Sequence, residues 1–98
     1  MNEETRDFPK YIKEDASTGS LLVTLKGGVK VDGLVVKEVT MREPMLRDQL
    51  QAAKAEKAPE DREIYIVALL IGHAPSDVET LSANDWARLQ TAYGFFID

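Results

Sequence analysis

A single histidine, His73, followed four residues later by Asp77, is the nearest this 98-residue chain comes to a reactive pair. A catalytic histidine needs a nucleophile or an orienting carboxylate, and a metal site needs further ligands. One His and one Asp after a helix end fit a structural role better, since a partly charged imidazole suits the carbonyl end of a helix. The carboxylates could in principle form a general acid/base pair. However, Glu60, Asp61 and Glu63 crowd a helix start, and Asp77, Glu79 and Asp85 fall at helix caps, so none is left without a structural explanation. Gly27-Gly28 lacks the lysine and helix that follow in a phosphate-binding loop. Cysteine is absent, which excludes disulfides, thiolate metal sites and a thiol nucleophile. The expectation is a protein that is not an enzyme, with no catalytic, cofactor or metal site.

Composition narrows the class. Hydrophobic residues make up 44% and charged residues 30% of the chain, as in ordinary globular proteins, and the length suits one domain. A formal charge of −5, with lysines scattered among acids, argues against nucleic acid, whose binding depends on neutralising phosphates. The longest apolar run, Ile64 to Gly72, is about half of the ~20 residues a membrane-spanning helix needs. Met1 to Lys13 is too polar for a signal peptide. These features predict a cytoplasmic protein that acts without membrane or nucleic acid.

The elements that would position any functional surface can be placed from local patterns. Residues 20–98 read as a single α+β domain, an N-terminal β-hairpin followed by three to four helices. Leu21–Lys26 alternates and is rich in strand formers. Asp32-Gly33 is a two-residue hairpin turn whose type I′ geometry needs positive φ at both positions. The turn sets Val31 opposite Leu34 and Val29 opposite Val36. Continued without interruption, that register would oppose Leu25 to Thr40 and Val23 to Arg42, mixing apolar with polar. One extra residue at Gly27-Gly28 repairs the pattern, opposing Leu25 to Val39 and Val23 to Met41, so a bulge is expected in a hairpin spanning Leu21 to Arg42. Pro44 then stops the strand. Leu46–Lys54 reads as an amphipathic helix ended by Ala58-Pro59. A second, largely buried helix runs from Pro59 through Ile64–Ile71 to a C-cap at Gly72. Capping patterns at Ser76–Glu79 and Ser82–Asp85 predict a helical turn over Pro75–Thr80 and a last helix from Ala83 to about Phe96. Trp86, Leu89, Tyr93 and Phe96 form its apolar stripe.

Residues 1–19 read as a flexible tail, because Phe8, Tyr11 and Ile12 are too little apolar material to offset ordering entropy. The alternative is that these three dock on a neighbour or on the domain's own sheet edge. At the other end, Phe95 and Ile97 fall off the last helix's stripe, and either pack under the hairpin or form a patch for a partner. With the Leu46–Ala53 face, they give the candidate partner-binding residues Leu46, Leu50, Phe95 and Ile97. The hairpin edge adds a homo-oligomer formed by strand pairing as a further expectation.

Leu25-Lys26, Asp32-Gly33, Arg42-Glu43-Pro44 and Asp48, in that order, resemble a pattern found in the small tail assembly chaperones of P2-like and Mu-like contractile-tailed phages and prophages. In that pattern a strand ends near Leu-Lys, an Asp-Gly turn follows, a second strand runs into Arg-x-Pro, and an acid starts the next helix. The apolar helix ending at Gly72, then Leu81 and Asp85-Trp86, continues the match, which covers Leu21 to Phe96. One departure is that the family often has Lys-Pro where this chain has Lys26-Gly27-Gly28. The resemblance implies a non-enzymatic chaperone that binds the long, helical tape-measure protein, keeps it soluble and helps recruit tail-tube protein. It also implies a longer form made by ribosomal frameshifting in many members. It transfers no site residues. The alternatives are a minor structural component of the tail or baseplate, and a small acidic protein-binding regulator.

Overall fold

A computed structural model describes residues 7–97. Strands β1 (Ile12–Asp15), β2 (Ser20–Val31) and β3 (Leu34–Met41) form an antiparallel sheet in that order. Helices α1 (Leu46–Ala55), α2 (Pro59–Ile71), α3 (Pro75–Val78) and α4 (Ala83–Ile97) follow. The α+β architecture of a hairpin leading into helices is as expected from the sequence. The core lies between the sheet and helices α2 and α4, with Val23, Val29, Met41, Val67, Leu89 and Ala92 at its centre, each fully buried.

Local signals account for most boundaries. Asp32 and Gly33 take the positive φ values, 50° and 81°, that the tight turn requires. Pro59 occupies the first turn of α2, where its missing N–H costs nothing. Gly72, at φ 75°, ends α2, and its N–H and that of His73 both reach the Ala68 carbonyl. His73 is accordingly a half-buried residue beyond a helix end. The Ser76 cap is not used: α3 begins at Pro75 after Ala74, with no side-chain cap, because proline itself supplies the helical φ. At α4, Ser82 does cap, its Oγ accepting the Asp85 N–H at 3.1 Å.

Part of the stretch expected to be a flexible tail is folded. β1 pairs with β2 from Ile12↔Val23 to Asp15↔Ser20, and Ile12 is buried. Three apolar groups suffice because the sheet edge supplies the backbone partners that a free tail would lack. Docking within the domain is what the fold adopts: Ile12 pairs on the sheet edge, while Phe8 and Tyr11 pack on the core beside Phe95 and Arg88 of α4. The first six residues of that stretch lie outside the described ones.

The hairpin is bulged between Thr24 and Val29, but the bulge is larger than the sequence predicts. Four residues of β2, Leu25 to Gly28, stand opposite Lys37 alone, between the pairs Thr24↔Glu38 and Val29↔Val36. The expected pairs Leu25–Val39 and Val23–Met41 are therefore replaced by Val23↔Val39 and Leu21↔Met41. The apolar matching that demanded a bulge is satisfied on both sides of it. Its size is set by a helix far along the chain.

Candidate partner-binding site

Asp85, in the first turn of α4, is completely buried and accepts three backbone hydrogen bonds from the bulge. Lys26 N–H donates to Oδ1 at 2.7 Å, and Gly27 and Gly28 N–H donate to Oδ2 at 2.8 and 3.0 Å. Burial alone would raise this carboxyl. The N–H groups of Gly28, Lys26 and Gly27, with the nearby Arg88 cation, more than offset that and hold it below the ordinary carboxylate value of 3.8. Asp85 is thus not the cap residue its sequence position suggests but the anion around which the bulge is wrapped. The departure at Gly27 also has a use, since proline there would lack one of the three donors.

Arg88, one turn on, holds the other side of the bulge. Its guanidinium donates to the Thr24 carbonyl at 2.8 Å and stacks on the Tyr11 ring at 4.4 Å. Thr24 N–H in turn donates to the Tyr11 carbonyl at 2.8 Å. One helical turn of α4 therefore fixes β1, β2 and the bulge together.

A second carboxylate sets α1. Asp48 is buried and takes both Arg42 guanidinium nitrogens, at 2.9 and 2.8 Å, and also the Met45 N–H at 2.8 Å. Arg42 lowers the Asp48 carboxyl and is itself raised by it. The pair locks the exit of β3 to the start of α1, with Pro44 between them. In a double-mutant cycle, Arg42→Ala and Asp48→Ala should each destabilise by about 1–3 kcal/mol and be coupled by about 1 kcal/mol, the half-exposed arginine moderating the effect. Strict additivity in urea unfolding would show that the pair sets nothing.

These clamps place the sequence-predicted contact residues in two groups. Leu46 and Leu50 stand one turn apart on α1 and are 68% and 56% exposed, while α1 packs on α2 through its other face. Ile97, near the end of α4, is exposed at 53%. Phe95 is half-buried, its ring edge-on to Phe8 with centroids 4.7 Å apart, so it belongs to the seam between α4 and the first residues. β3 is a sheet edge with exposed Leu34 and Val35 at its tip. Lys37 and Glu38 at mid-strand blunt it, because twofold strand pairing centred on either would oppose like charges.

Sequence reasoning missed a groove of about 550 Å³ between α2, α3 and α4. Asp61 and Ile64 line it from α2, Val78, Glu79 and Leu81 from α3 and the residues after it, and Ala83 and Trp86 from α4. No stretch of sequence carries its signature, because it exists only where three elements meet. The available hint was Trp86, the only tryptophan, at the start of the α4 stripe.

Among the described residues, no group of three or more His, Cys, Asp or Glu side chains is placed to hold a metal ion. No helix among them is long and apolar enough to cross a membrane. What the fold presents are surfaces. The profile of the family described as phage tail assembly chaperone proteins, E, or 41 or 14, matches residues 22–98, which takes in β2 through α4 and both carboxylate clamps. No curated protein and no solved structure gives a significant match. The chain belongs to the phage tail assembly chaperone family.

Proposed function

We propose that this protein binds the tape-measure protein of its phage, keeps it soluble, and brings tail-tube protein to it in the host cytoplasm before leaving the assembly. The supporting observation is the family match over residues 22–98. The role is one of holding, not of chemistry. Leu46 and Leu50 on α1 and Phe95 and Ile97 on α4 are the proposed contact residues, suited to the apolar faces of amphipathic helices. Exposed leucines at 68% and 56% are costly to leave in water, which favours a surface that is covered for part of its working life.

Co-expression with the tape-measure protein tests this reading. The protein should raise the soluble fraction of its client and purify with it, and Leu46→Ser/Leu50→Ser should lower the recovered complex about fivefold, on the scale of about 1 kcal/mol of lost apolar contact. A client equally soluble alone, with no complex recovered, would refute it.

A further inference from the structure

We infer that the groove between α2, α3 and α4 is a docking site for an amphipathic helix that carries Lys or Arg beside its apolar anchors. The inference names a site and a partner chemistry that rest on the helix-holding role proposed above, but it uses none of the four contact residues.

The floor is apolar. Ile64, Val78, Leu81, Ala83 and Trp86 line it, and of these only Val78 is fully buried. Ile64, Leu81 and Trp86 are half-buried and each keeps surface open to the groove. Asp61 and Ile64 lie one turn apart on α2, and Ala83 and Trp86 one turn apart on α4, so the two walls repeat at the pitch of a helix laid between them.

The rim is acidic. Asp61 and Glu79 are the charged lining residues, with no base among the seven. Both are exposed, and neither carboxylate has a hydrogen-bond or ion-pair partner within the described residues. The starts of α2 and α4 meet here, and each contributes about half a positive charge. The acids outweigh it: the first turn of α2 alone carries Glu60 and Asp61. An apolar floor under two unpaired carboxylates is complementary to a helix whose apolar face is flanked by cations, and repels one flanked by acids.

Trp86 is the chain's only tryptophan and lines this groove, so its fluorescence gives a local readout there. The intact protein is titrated with a Leu/Lys amphipathic helical peptide and with a Leu/Glu peptide of the same pattern. The Leu/Lys peptide should shift Trp86 emission and bind at least about tenfold more tightly than the Leu/Glu peptide, the preference fading as salt rises. Asp61→Lys/Glu79→Lys, at two exposed positions, should reverse the preference. Equal response to both peptides, no response to either, or a preference that survives the double charge reversal would overturn the inference. So would a Trp86 shift that grows with protein concentration in the absence of peptide, which would make a second copy the occupant. Peptide binding without capture of the tape-measure protein would sink the proposed client and keep the groove. Capture unaffected by the double reversal would keep the client and sink the groove.

Discussion

Replacing Asp85 with alanine should destabilise the protein by about 3 kcal/mol, a large share of the ~5–15 kcal/mol that holds a domain of this kind together. Hydrogen bonds to an ionised acceptor are each worth about 1.5–3 kcal/mol, and Asp85 accepts three. The full sum is not expected, because Lys26 and Gly27 are exposed and water can take over their N–H groups, whereas Gly28 is buried. In a chain of this length the loss corresponds to a fall in Tm of about 12–24 °C. Asp85→Asn keeps the volume but turns an amide NH2 toward backbone donors, and should recover less than half of that. A fall in Tm of less than about 4 °C for Asp85→Ala would show that the bulge stands without its anion.

The same carboxylate gives the protein an acid limb. The Asp85 and Asp48 carboxyls are both held below their ordinary value of 3.8 in the folded state. As pH falls through that range the unfolded chain takes up protons before the folded one, so stability drops with acid. It is fully present above about pH 5 and is lost as the pH passes below the unfolded value toward the folded ones. Asp85→Ala should flatten this limb while lowering stability near neutrality.

Gly28→Ala should be the second severe change, at about 2–4 kcal/mol. Gly28 sits at φ 94°, where an L side chain is strained by about 1–2 kcal/mol. A Cβ there would also lie 2.8 Å from the Val36 carbonyl oxygen and 2.8 Å from Val35 Cγ1. The valine methyl can move, since Val35 is exposed, but the carbonyl belongs to the ladder and cannot. Gly33→Ala is the matched control. Its φ is similar at 81°, yet nothing lies within 4 Å of its added Cβ, so it should lose only the conformational part, about 1 kcal/mol. Thermal unfolding of the two variants separates strain from collision, and equal losses would mean that the close approach at Gly28 carries no weight.

What could be read from the sequence follows from how far apart the causes lie. The Asp32-Gly33 turn, the Pro59 start and the Gly72 stop of α2 were legible because each is decided within a few residues. The bulge was legible as a mismatch of apolar pairs, but its size was not, since it depends on a carboxylate 57 to 59 positions later. β1 escaped notice because its four residues, IKED, carry one apolar side chain and gain their place from β2. For the candidate surfaces, Leu46, Leu50 and Ile97 are exposed, Phe95 packs on Phe8, and the groove had no sequence pattern at all.

The reach of Asp85 also sets a timetable. The ribosome delivers Lys26, Gly27 and Gly28 well before the residue that receives their N–H groups, by 59 positions in the case of Lys26. At about 5–20 residues per second that is a wait of roughly 3 to 12 seconds. For that interval the nascent hairpin has no anion at its bulge and no α4 beneath its apolar face. During its own synthesis the protein therefore passes through a stage in which the apolar face of its hairpin still waits for the helix that covers it.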